Sequence, residues 1–327
     1  MSATPSPAPS DDGGDPTLPR ILCLHGGATN ALIFKTQCRA IISALKHRFR
    51  FVFVDAPFPC APHPDIVPVY GDLAPFYRWL RFIPGEHDDP EHGEDDPRWF
   101  ADRVLFSIRK GITSDGGTGE IVGVMGFSQG AKIAASLLWA VQHLEPYGTK
   151  VEDMTLLERI GADIRRILPA LEDLKFGVIV AGSAPVVMLD PVVLGVMQTK
   201  AAGQQKGAVN GSALKFDGFI PRHVESPASL SQTFKDWPTE EGTKETMDGQ
   251  VADHVIALPT LHVHGLRDPG IDRHRKLLRL YCKKGTTRHI EWDGGHRIPI
   301  KTSDVKLMVD KILEMAEETG AFLDVAG

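Results

Sequence analysis

Glu120-Ile-Val-Gly-Val-Met-Gly-Phe-Ser-Gln-Gly130 runs without a break into Ala131-Lys-Ile-Ala-Ala-Ser-Leu-Leu-Trp-Ala140. The first part is apolar and β-branched up to Gly126, and the second is made of strong helix formers, so Ser128 falls on a strand-to-helix corner. Within it, Gly126-Phe-Ser-Gln-Gly130 is G-x-S-x-G, the nucleophile-elbow pattern. A serine on so tight a turn carries a strained backbone, and side chains two residues before or after it would meet the neighbouring strand and helix, so both places call for glycine. The same corner puts the N–H of Gln129 at a helix start, where unpaired amides and the positive end of the dipole favour a developing oxyanion. A flexible Gly-Ser loop is the competing reading, and the flanking strand and helix argue against it.

Working outward, buried strands are expected at 20–24, ending in His25-Gly26-Gly27, and at 49–55, with a helix over 31–45 between them. The proline-dense loop from Ala56 to Pro68 is expected to lack regular structure. An acidic stretch from His87 to Asp96 reads as a solvated loop rather than a cation site. A helix over 99–110 leads through glycines into the elbow strand. Beyond the elbow helix, 146–174 reads as an amphipathic helical insertion carrying Leu156, Leu157, Ile160, Ile164, Ile167 and Leu168. Strands follow at 176–182, 259–265 and 287–292, with helices over 272–284 and 302–318. The polar, glycine-rich 185–255 stretch reads as a cap or lid excursion. Alternating strand and helix imply an α/β fold with a mostly parallel central sheet flanked by helices. The expected organisation is a disordered tail over 1–19 and one domain over 20–327.

Composition narrows the function. The 327 residues are 42% hydrophobic and 24% charged, with formal net charge −6, which suits a globular protein and not a nucleic-acid binder. No run of about 18 uninterrupted apolar residues occurs, so no membrane span is expected. The first nineteen residues have neither a basic nor an apolar segment of the secretory kind. Cys23, Cys38, Cys60 and Cys282 form no C-x-x-C pair, which favours reduced thiols and a cytoplasmic setting and gives no support for zinc.

A serine nucleophile needs a base and an acid to orient it. In the α/β-hydrolase order the acid and then the histidine follow the serine, each on a loop after a strand. Asp268 lies three residues beyond Gly265, and His296 four beyond Trp292. Asp272, read as a helix cap, and Asp293, close in sequence to His296, are the weaker acids. His262, His264 and His289 fall within strands and His274 on a helix, so none rivals His296. The His262-Val-His264 pair suggests no third metal ligand and reads as satisfied strand histidines. The second oxyanion donor is expected in His25-Gly26-Gly27-Ala28, with the Gly27 N–H first and Ala28 next, and with His25 shaping the turn.

Taken together, Leu24-His25-Gly26, Asp55-Ala-Pro57, Tyr77-Arg-Trp79, the elbow, Leu261-His-Val-His-Gly265 with Asp268, and Gly294-Gly-His-Arg-Ile-Pro299 resemble the FSH1-type fungal serine hydrolases of the α/β-hydrolase superfamily. The resemblance implies that fold, a Ser128–Asp268–His296 triad, no cofactor, and hydrolysis of small-molecule esters or thioesters. Several members of the family resemble trans-acting thioesterases that release polyketide chains from an acyl carrier protein. A general carboxylesterase is the alternative, and a non-catalytic binding protein of the same fold a third. The chain departs from the family in its 146–174 and 185–255 stretches and in Gly182-Ser-Ala-Pro185, where a Gly-aromatic pair is usual.

Overall fold

The computed structural model describes residues 15–80, 97–142, 166–184, 186, 187, 189 and 255–322. The acidic stretch, most of the 146–174 insertion and nearly all of the 185–255 excursion lie outside them. The elements are β1 (Arg20–Leu24), α1 (Ala31–Gln37), α2 (Arg39–Leu45), β2 (Arg50–Val54), β3 (Phe58–Cys60), α3 (Val67–Tyr70), β4 (Phe76–Arg78), α4 (Pro97–Ser114), β5 (Ile121–Phe127), α5 (Gln129–Val141), β6 (Phe176–Val180), β7 (Thr260–Gly265), α6 (Ile271–Tyr281), β8 (Thr287–Trp292) and α7 (Thr302–Glu318).

Six strands form one parallel sheet in the order β2-β1-β5-β6-β7-β8. Every residue of β1, β5, β6 and β7 is buried, the expected signature of strands covered on both faces. One face packs against α4, α5 and α6 through Val104, Leu105, Ile108, Leu137, Trp139 and Leu277. The other packs against α1, α2 and α7 through Phe34, Ile41, Leu45, Met308, Ile312 and Met315. The chain leaves β1 toward one edge and returns to its other side at β5, so the crevice where strand order reverses opens between the carboxyl ends of β1 and β5, the place such sheets reserve for ligands.

Several local expectations need correction. The 31–45 helix is two helices meeting at Cys38, whose ψ of 3° lies outside the helical well and whose N–H is shared between the Phe34 and Thr36 carbonyls. The proline-dense loop holds β3, α3 and, with residues beyond it, a two-stranded ribbon. Pro59 sits in a ribbon pair with Tyr77, and Pro68 lies in the first turn of α3, two settings in which the missing N–H costs little. Asp272 does not cap α6: Gly270 is the cap residue, and Asp272 lies in the first turn. Finally, Asp15 to Pro19, part of the expected tail, lie against the body, with the Pro16 carbonyl accepting from Thr118 N at 2.7 Å and that of Pro19 from Arg50 N at 2.9 Å.

Candidate active site

The elbow is built by exclusion of side chains. Ser128 has φ 54° and ψ −114°, a conformation L-residues rarely adopt, between β5 and α5. A Cβ on Gly126 would come within 2.3 Å of the Gly130 carbonyl oxygen, and one on Gly130 within 2.1 Å of the Leu24 carbonyl oxygen. The first glycine therefore lets α5 fold back on β5, and the second lets α5 lie against the end of β1. The Ser128 N–H donates to the Val180 carbonyl of β6 at 2.9 Å, and its side chain makes no capping bond, so the hydroxyl is left for other work.

Three sequence-expected residues meet there. Ser128 Oγ lies 2.9 Å from His296 Nε2, and His296 Nδ1 lies 2.6 Å from Asp268 Oδ2. Asp268 is 2% exposed at its side chain and His296 42%, so a buried carboxylate holds a ring whose far side reaches solvent. The other Asp268 oxygen accepts from Gly270 N at 2.8 Å, which fixes the carboxylate plane. With Nδ1 turned to the carboxylate, Nε2 faces the serine in the tautomer that can accept its proton. Phe127 packs against the same ring with centroids 5.0 Å apart. Of the weaker acids, Asp293 forms an exposed pair with Arg267, and neither it nor Asp272 touches His296.

The turn after β1 supplies the facing wall. Its conformation is set by Ala28 at φ 57° and by His25, whose Nε2 accepts from Ala56 N at 2.9 Å while Nδ1 donates to the Gly26 carbonyl at 2.6 Å. Burial, above all, lowers the His25 pKa to about 4, so the ring is a neutral brace, as expected of a residue that shapes the turn. Gly27 lies beneath the Gln129 side chain, where a Cβ would come within 2.6 Å of the amide carbon. Neither Gly27 N–H nor Gln129 N–H has a partner among the described residues, which leaves both amides unspent.

The surroundings of four residues were not legible in the sequence. The Gln129 side chain accepts from Trp79 N at 3.1 Å and Leu80 N at 3.3 Å, strapping the β4 segment to the elbow. Trp79 is fully buried and donates from Nε1 to the His25 carbonyl at 2.8 Å. His274, dismissed as a helix histidine, places Nδ1 3.8 Å from Asp268 Oδ2. Burial lowers its pKa to about 4, so it stands beside the acid as a neutral ring. Lys132, four residues past Ser128, is also buried, and burial followed by the Arg273 charge brings it down to about 8.

A doubly covered parallel sheet with a strained serine, histidine and carboxylate at its switch point defines an α/β-hydrolase of the serine type. The chain belongs to the FSH1 serine hydrolase family, whose model matches residues 16–308. It is 39% identical to the esterase pigG of Monascus ruber, covering 95% of this chain and 96% of that one. It is 38% identical to the esterase claE of Penicillium crustosum, over 93% and 95% respectively. Among solved structures it is similar to a Bacillus cereus carboxylesterase, with a TM-score of 0.42, 14% identity, and coverage of 93% and 91%. The protein is a serine hydrolase, and the reading as a non-catalytic binding protein falls away. Among the described residues, no helix is long and apolar enough to cross a membrane.

Proposed function

We propose that Ser128, His296 and Asp268 form the catalytic triad of an acyl hydrolase whose oxyanion is held by the N–H groups of Gly27 and Gln129. As Ser128 Oγ bonds to the substrate carbonyl carbon, its proton passes to His296 Nε2 and the carbonyl electron pair moves to oxygen, facing the two amides. Collapse breaks the C–S or C–O bond, and His296 returns the proton to the leaving thiolate or alkoxide. Water then adds to the acyl-enzyme by the same route and regenerates the serine. The observation that carries this reading is the unbroken Oγ–Nε2 and Nδ1–Oδ2 chain, at 2.9 and 2.6 Å, on a serine whose side chain has no other partner among the described residues. A fluorophosphonate probe should label the protein once, and Ser128→Ala should abolish the label. Labelling that persists in the variant contradicts the assignment.

The finer reading is that the acyl group arrives as a thioester on an acidic acyl carrier protein. Its support is electrostatic. Arg273, Arg279, Lys283 and Lys284 are exposed on and just after α6, the helix that follows the Asp268 loop, in a chain of net charge −6. Complementary charge of this kind speeds encounter more than it tightens a complex. A carrier-bound thioester should then be hydrolysed with a higher kcat/KM than the same acyl group on a small thiol, and added salt or charge reversal at Arg273 and Arg279 should erase the difference. Equal values at low ionic strength favour the second reading, a small-ester carboxylesterase, which rests on the esterase names of its relatives.

A further inference from the structure

The triad leaves unused a group of donors on the next two strands. The parallel register sets His262 opposite His289 and His264 opposite Glu291, so all four side chains project to the face covered by α6. His264 is fully buried, and its Nδ1 lies 3.0 Å from His289 Nε2. His289 Nε2 is in turn 3.5 Å from Glu291 Oε1, and one donor atom from each of His264, His289 and Glu291 lies within 4.8 Å of the other two. The H-x-H pair thus acquires partners that its own strand could not reveal, although His262 is not among them: its Nε2 faces Cys282 Sγ at 3.3 Å.

We propose that His264, His289 and Glu291 form a site for a borderline divalent transition-metal ion of the Zn²⁺ class, with a fourth position open to solvent. Bond lengths of about 2.0–2.1 Å around a tetrahedral ion put its ligands about 3.3 Å apart, close to the 3.0 and 3.5 Å separations present. Two imidazoles and one carboxylate suit Zn²⁺, Co²⁺ or Cu²⁺, whereas Mg²⁺ and Ca²⁺ call for oxygen donors. His264 Nε2 is buried without a partner among the described residues, so it can keep the ring hydrogen while Nδ1 offers its lone pair. The side chains of His289 and Glu291 are 36% and 26% exposed, which gives an ion an entry path. Arg275 competes, donating to Glu291 at 2.8 Å, but a pair this exposed is weak and yields to a metal.

Asp268, His274 and His296 also hold three donors close together, so the two clusters must be told apart. Full-length chain freed of metal with a chelator is titrated with Co²⁺, followed by its visible absorption, and then with Zn²⁺ as displacing ion, all in a His296→Ala background. One equivalent with tetrahedral absorption is expected there. His289→Ala or Glu291→Gln added to that background should weaken binding at least about tenfold. Each of those two changes alone should leave fluorophosphonate labelling of Ser128 intact, which certifies the fold and keeps this test separate from that of the catalytic reading. Absence of Co²⁺ absorption in the His296→Ala protein, or affinity unchanged by both further substitutions, overturns the proposal.

Discussion

Ser128 pays for its reach with backbone strain, and the return is a hydroxyl aimed at His296 and bonded to nothing else among the described residues. If serine and histidine act as the one unit proposed above, Ser128→Ala and His296→Ala should each lower kcat by on the order of 10⁴-fold or more, and the double variant should be little worse. Steady-state rates that multiply would show that the two are not partners. Gln129 separates side chain from backbone. Gln129→Ala keeps the helix-start N–H but releases Trp79 and Leu80, so kcat/KM should drop by about tenfold, in line with two lost hydrogen bonds, while labelling of Ser128 persists. An unchanged kcat/KM would mean that the strap does not shape the site. At this scale the sequence was legible where chemistry dictates neighbours. Glycine is forced on both sides of Ser128, and chain order selects Asp268 and His296. His274 and the Gln129 strap depend on contacts between distant segments, which no local pattern encodes. The same holds for His262 and His264: their place in a strand was readable, but a buried nitrogen of each has no partner among the described residues, contrary to the expectation of satisfied rings.

At the scale of elements, the long apolar strands and the 302–318 helix could be read almost to the residue, because a doubly covered strand and an amphipathic helix each leave a strong pattern. The break at Cys38 and the ribbon around Pro59 could not, since each depends on what the segment packs against rather than on its own propensity. Two glycines show how clash and strain differ. Gly130→Ala drives a methyl into the Leu24 carbonyl, where backbone cannot give way cheaply, and should cost about 3 kcal/mol of unfolding free energy together with most of the activity. Gly285→Ala meets nothing within 4 Å but sits at φ +94°, so it should cost only about 1–2 kcal/mol and leave kcat unchanged. Urea unfolding of the two variants, with rates measured alongside, checks the contrast.

For the molecule as a whole, buried neutral histidines make stability depend on acidity. His25 and His274 have pKa values near 4 in the fold against 6.5 unperturbed, so the unfolded chain binds more protons between those values. Their contribution is complete above pH 6.5 and is lost as pH falls through that window, by about 1 kcal/mol for each ring at pH 5.5. Urea midpoints at pH 7.5 and 5.5 should differ accordingly, and equal midpoints would contradict the burial argument. The order of strands in the sheet has a different outcome, in the time the chain takes to fold. β7 and β8 are joined by a single helix, whereas β1 must find β5 roughly 100 residues away, and closing so large a loop precedes any reward from the contact. Ser128 and His296 stand 168 residues apart, and the β6–β7 seam that lies between their strands joins segments roughly 80 residues apart in the chain. During refolding from denaturant, hydrolytic competence should therefore return after most of the helical circular dichroism signal, which makes the enzyme its own reporter of final assembly.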